Sequence, residues 1–267
     1  MSDLFHLYRA QFKVTIAEQF QYRGALVIWL LGLMLEPVIY LSVWAAVANS
    51  QGGQVDAFTA ADFAAYYLIA MMVDHAGFTW IMWEMEYWIR QGNLSALLVR
   101  PVHPIHRHIA NNLTFKLLTF FVLLPVVIAL TIIYQPNFTV TSHTILAFIP
   151  ALLLAMALRF SAEWTLASLA FWVTRVNAIN QLWFVAFLFL SGYVAPIALL
   201  PPFAQTLAAW LPFYRMLGFP VDVLLGHLST QQILIGYGAQ VAWLLATYAL
   251  LQFTWARGIR QYSAVGA

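Results

Sequence analysis

The chain has 267 residues, of which 63% are hydrophobic and 8% charged, and it carries a net charge of +2. A soluble domain has about 25% charged residues and must present much of its surface to water, so this composition excludes that class and implies a body solvated by lipid. The charge is too small and too scattered for a nucleic-acid-binding face, and the absence of cysteine excludes disulfides, thiolate metal sites and thiol nucleophiles.

In chain order, Leu4, Leu7, Tyr8, Phe12, Ile16 and Phe20 recur at spacings of three and four, while Arg9, Lys13 and Arg23 fall elsewhere on the wheel. Residues 1–24 are therefore predicted to form an amphipathic helix lying in the membrane interface, not a cleavable signal. A crossing helix needs about 20 mostly apolar residues to span about 30 Å of hydrocarbon. Six segments qualify: residues 25–48, 63–83, 109–134, 145–173, 179–200 and 233–255. Backbone groups in lipid must bond within their own segment, so each is predicted to be helical. The expected fold is all-α, with six transmembrane helices in one domain over residues 25–267.

The cations set an expected orientation. Arg9, Lys13 and Arg23 precede the first span, Arg90, Arg100 and Arg107 join the second to the third, Arg175 joins the fourth to the fifth, and Arg257 and Arg260 follow the sixth. Only Arg215 stands out on the other side, so a multi-pass protein of the plasma (inner) membrane with both termini in the cytoplasm is expected. Between the fifth and sixth spans, residues 191–229 are apolar yet carry Pro196, Pro201, Pro202, Pro212 and Pro220. Proline at that density breaks a helix into short pieces, which predicts re-entrant helices whose backbone is covered by protein.

No site for nucleotide chemistry is present in the sequence. Lys13 and Lys116 are the only lysines, and neither follows a glycine-rich phosphate loop. His103, His106 and His108 crowd one loop, but Pro104 interrupts the helix that would align them, so no metal is assigned. Ionisable residues within spans are costly and face protein or a water path; the candidates are Glu36, Asp74, His75, Arg159 and Glu163, with Glu84, Glu86 and Lys116 beside them. Arg159 and Glu163 lie four apart, on one face of a helix, and are expected to pair. Glu36 precedes Pro37, where a helix loses a backbone bond. Asp74 and His75 leave a proton or ion relay open, as in a secondary transporter or channel. The rings of Trp80, Trp83, Tyr87 and Trp88 read as an interfacial belt or as the wall of an apolar path.

The loop after the second span is the most distinctive stretch: WIRQGNLSALLVRPVHPIHRH, residues 88–108. Asn93 is predicted to cap a short helix that Pro101 ends, with Leu94, Leu97 and Leu98 on one face. Arg90, Arg100 and Arg107 then ring a small apolar knob, which suits a partner's groove and also suits membrane lipid phosphates.

The six-span layout, the amphipathic N-terminus, the IRQGNLSALLVRPVHPI stretch and the later LPFYRMLGFPVDVLLG together resemble the membrane subunits of ABC-2 type exporters, in the branch with a GNL...LLxRPV loop after the second span. The likeness covers nearly the whole chain and is most specific at residues 92–104. It implies a permease without cofactors of its own, ATP and Mg being bound by a separate ATP-binding cassette ATPase subunit. It implies a second permease chain, identical or related. It also implies that residues 1–24 act as a connecting helix, and that Gly92, Asn93, Leu94, Leu97, Leu98, Arg100 and Pro101, with Arg90 at the rim, form a coupling helix that docks on the ATPase. Branch members often carry an acid after GNL; Ser95 stands there in this chain, so no salt bridge is implied from that position.

Overall fold

The computed structural model describes residues 2–21, 23–173 and 175–262. The chain opens with α1 (Ser2–Gln21) and α2 (Arg23–Ser50). A two-residue hairpin follows, β1 (Gln54–Val55) paired antiparallel with β2 (Phe58–Thr59). Then come α3 (Ala60–Gly77), α4 (Ile81–Arg90), α5 (Asn93–Leu98), α6 (Pro104–Tyr134) and α7 (Ser142–Ala167), which runs on as a 3-10 turn, Ser168–Phe171. After α8 (Asn177–Leu190) lie a 3-10 turn at Ile197–Leu199 and three short helices, α9 (Pro202–Trp210), α10 (Phe213–Met216) and α11 (Gly218–Leu224). The last described helix is α12 (Thr230–Gln261).

Among the described residues, three helices are long and apolar enough to cross a membrane: α6, α7 with its 3-10 extension, and α12. Their starts are written locally in the sequence. Pro104 opens α6 at a position where no backbone donor is needed. Thr141 and Thr144 cap α7 reciprocally, as Ser229 and Gln232 cap α12 and Thr59 and Asp62 cap α3. Leu117, Phe121, Ile128 and Ile132 of α6 stand exposed. That much apolar surface along one helix is stable only against lipid. On α1 the polar residues Tyr8, Gln11 and Thr15 face α6 through hydrogen bonds, while Phe5 and Phe20 are exposed. A helix that turns its polar side to protein and its rings outward fits the membrane interface.

Two predicted segments are interrupted. The second is helical to Gly77, then leaves helical geometry at Phe78–Trp80 before α4 resumes; the C-terminal carbonyls of α3 are satisfied from α6, where Lys116 Nζ donates to Ala76 O and Asn112 Nδ2 donates to Phe78 O at 3.3 Å. A cation at a helix C-terminus also complements its dipole. The fifth stops at Leu190 and not Leu200, because Ser191–Pro196 turns away from the axis. Gly192 takes φ +94, open to glycine with little penalty.

Side chains from two helices satisfy that turn. Tyr66 Oη donates to Gly192 O at 2.8 Å, Tyr67 Oη to Val194 O at 2.5 Å and Trp44 Nε1 to the same oxygen at 2.8 Å. Tyr66 is 1% exposed, so its hydroxyl has no substitute acceptor in water. Replacing it with phenylalanine leaves the Gly192 carbonyl unpaired, and Tyr66→Phe is expected to lower unfolding stability by about 1–3 kcal/mol. Thermal unfolding of the purified chain in detergent measures this, and an unchanged midpoint would show that the turn does not depend on the bond.

Candidate functional site

The deepest polar site forms where α3, α7 and α8 meet. Asp74 lies in the last turn of α3, and Arg159 and Glu163 lie one turn apart on α7. Arg159 Nη1 donates to Asp74 Oδ1 at 2.6 Å, and its Nε donates to Glu163 Oε1 at 2.9 Å. The sequence predicts the second contact; the first needs α3 folded against α7. Thr79, in the break between α3 and α4, donates to Glu163 Oε2 at 2.5 Å. The guanidinium also lies over the Phe187 ring of α8, 4.2 Å from its centroid, a favourable placement for a desolvated cation. Arg159 is 1% exposed and Glu163 0%. Gly77 makes room for the side chain: a Cβ there would sit 3.3 Å from Arg159 Cδ.

His75 and Lys116 complete this layer from α3 and α6. His75 Nε2 lies 3.0 Å from Thr119 Oγ1, whose own proton is directed to Phe115 O at 2.7 Å. Two carboxylates and the Arg159 guanidinium therefore share one buried layer, with the partly buried Lys116 at its edge. Glu36 is different. It stands exposed near the middle of α2, with Tyr193 Oη donating to its Oε2 at 3.3 Å. A cavity of about 130 Å³ beside it is lined by Glu36, Asp74, Arg159, Phe187 and Tyr193.

The loop site lies elsewhere, where α4, α5, α7 and α12 pack together. Gly92, at φ 71, reverses the chain between α4 and α5. It, not Asn93, occupies the capping position, because only a left-handed residue turns the chain that sharply; Asn93 is the first helical residue. Leu94 and Leu97 point into a cluster with Met82, Met85, Trp164, Leu251 and Trp255, and are 0% and 7% exposed. Leu98 is partly buried against the same cluster. Ser95 Oγ lies 2.9 Å from Tyr262 Oη. The leucine face thus fixes α5 to the bundle, while Val99 stands 85% exposed with Arg100 and Pro101 beside it. Arg90 pairs with Glu86 at 3.2 Å.

The three histidines separate. His103 Nδ1 accepts from Ile105 N at 3.1 Å, His106 Nδ1 lies 3.2 Å from Tyr8 Oη, and His108 Nδ1 lies 3.1 Å from Glu84 Oε2, with its ring stacked on Trp88. Burial, with His106 nearby, holds the His103 imidazole below its usual pKa, so it is neutral at pH 7. Among the described residues no group of three His, Cys, Asp or Glu could hold a metal ion.

Compared with known families, residues 27–266 match the description "ABC-2 family transporter protein". The chain belongs to the ABC-2 transporter family. No curated protein matches it. Membership makes this a multi-pass membrane protein, a permease of an ABC transporter whose family lacks ATPase domains and works with ABC ATPase subunits. Of the residues singled out in the sequence, the ABC-2 chain gathers Asp74, Arg159 and Glu163 into one contact set, leaves Glu36 at its edge, and splits the loop residues into a buried and an exposed group. Thr79, Asn111, Tyr193 and Val99 were not singled out. Polar residues at membrane depth could have flagged Thr79 and Asn111; no sequence signal tells which side of a six-residue helix faces out.

Removing one member of a buried ion set leaves a bare charge and costs about 3–5 kcal/mol. Arg159→Gln is therefore expected to reduce folded yield sharply. Adding Asp74→Asn and Glu163→Gln to it should recover a large part of the loss, because the bare charges go with it. Folded fraction by size-exclusion chromatography reads both.

Proposed function

We propose that this chain is the membrane-spanning subunit of an ATP-driven exporter, in which separate ATPase subunits drive efflux through the loop between α4 and α6. On this reading the chain crosses six times: by α2, by α3 with α4, by α6, by α7, by α8 with the turn after it, and by α12. Both termini are cytoplasmic, residues 1–24 form the connecting helix, and residues 25–267 form the transmembrane domain. The pieces α9 to α11 re-enter from the outer side; the side-chain bonds from Trp44, Tyr66 and Tyr67 to the turn before them support this, since backbone at that depth needs protein partners. ATP and Mg belong to the ATPase subunits.

The observation that carries the reading is the division within residues 92–101. An ABC-2 chain must touch a soluble motor somewhere, and here an exposed valine and an exposed arginine follow directly on a helix whose leucines are anchored in the bundle. Anchored leucines transmit a push; the exposed tip receives it. Gly92, Asn93, Leu94, Leu97, Leu98, Arg90, Arg100 and Pro101 thus share the coupling role unequally, with Val99 added as the apolar contact.

The exposed Glu36 supports a second permease chain, identical or related. A carboxylate at mid-membrane cannot rest against hydrocarbon, so that face of α2 must meet protein or a watered path between two chains. The Arg159 layer, by contrast, is paired internally: Arg159 bonds both Asp74 and Glu163 and so holds α3 to α7, which favours a structural role over an ion relay.

Val99→Asp is expected to weaken co-purification of the ATPase by about tenfold or more with insertion and thermal stability unchanged. Leu97→Asp should instead unfold the loop, because it buries a charge. Full ATPase recovery with Val99→Asp would remove the coupling assignment.

A further inference from the structure

A cavity of about 290 Å³ lies between α1, α5 and the start of α6. Its walls are of two kinds. Leu7 and Val14 from α1 and Leu97 from α5 supply apolar surface, and Arg100 and Arg107 supply two positive charges. No aspartate or glutamate lines it. Neither arginine has an acidic partner among the described residues, in contrast to Arg90 and Arg159.

Arg107 adds a second, independent observation. Its Nε is buried and has no hydrogen-bond acceptor. A charged donor taken out of water without an acceptor is costly, and an anion in the cavity beside the guanidinium would offset part of that cost through its charge. The site also lies where an amphipathic helix joins the bundle: α1 is tied to α6 by Gln11 Nε2 donating to Asn111 Oδ1 at 2.6 Å and Thr15 Oγ1 to the same oxygen at 2.7 Å. Such helices sit at headgroup depth, where a phosphodiester and the first part of an acyl chain are found together.

We propose that this cavity binds one anionic phospholipid, with the phosphate held by Arg107 and Arg100 and the glycerol and proximal acyl chains against Leu7 and Val14. The guanidinium fork matches phosphate oxygens in pairs. A free phosphate shares the anionic chemistry but leaves the apolar wall uncovered, so the lipid is the occupant. The bound lipid forms a wedge between the connecting helix and α5. Arg100 is common to this site and to the coupling tip, so the proposal rests on the orientation given under Proposed function.

Native mass spectrometry of the full chain, released from membranes containing equal phosphatidylglycerol and phosphatidylcholine, tests it without any ATPase, so failure here is separate from failure of the coupling assignment. The unaltered chain should retain one phosphatidylglycerol in preference to phosphatidylcholine. Arg107→Gln should cut that retention by about tenfold, and Arg107→Lys should restore it only in part, since an ammonium lacks the fork. Arg175→Gln, on a different loop, should leave it unchanged. Equal loss with Arg175→Gln, or no loss with Arg107→Gln, overturns the site. Should Arg107→Gln not fold, equal retention of the two lipids by the unaltered chain does the same. Displacement of the lipid by millimolar inorganic phosphate would make this a free-anion site and overturn the lipid assignment.

Discussion

A guanidinium with almost no exposure to solvent, inside a body that lipid must surround, sets the constraint on which the rest of the arrangement depends. Arg159 cannot remain there unless both of its edges meet oxygen, and those oxygens come from Asp74 on α3 and Glu163 on its own helix. Burial of a lone ion costs several kcal/mol even after relaxation, so α3 and α7 are held in one register. The break after Gly77 follows from the same constraint. Gly77 provides the space that Arg159 fills, Thr79 turns to the free oxygen of Glu163, and Lys116 with Asn112 accepts the task of bonding the carbonyls that the break exposes.

Helix α7 carries this requirement towards the loop. Trp164 directly follows Glu163 and is 0% exposed, packed in the cluster that receives Leu94 and Leu97. One helix therefore joins the ionic layer to the seat of α5. The turn after α8 is built on a different principle, with aromatic donors fixing a glycine. Trp44, Tyr66 and Tyr67 bond the carbonyls after α8, and Gly218 N bonds Ser191 O at 2.9 Å, so the proline-rich pieces are attached to the bundle through their backbone.

Helix positions were legible because hydrophobic runs and caps are local properties. The apolar runs of α6, α7 and α12 and the i,i+4 pair of Arg159 and Glu163 needed no tertiary information, although these helices begin at Pro104, Ser142 and Thr230, three to five residues before the apolar runs at 109, 145 and 233, because their first turns are polar. Two further boundaries differed for non-local reasons. Residues 78–80 leave the helix where partners on α6 and α7 bond the break, and α8 stops short of Leu200 because donors on α2 and α3 take up the carbonyls of the turn. The sequence of α5 gave a leucine face without saying what it faces, since a leucine stripe is equally suited to a partner's groove or to its own bundle.

Composition and periodicity alone determined that this is a lipid-solvated helical protein with a cationic loop between apolar segments, because the cost of polar backbone in hydrocarbon permits little else. Only the folded arrangement decided that Asp74 closes the Arg159 site, that the loop leucines turn inward and Val99 outward, and that Arg100 and Arg107 line one cavity with α1. Each of these is a contact between residues far apart in the chain or a choice of helix face, and both are fixed by packing, which no local pattern encodes.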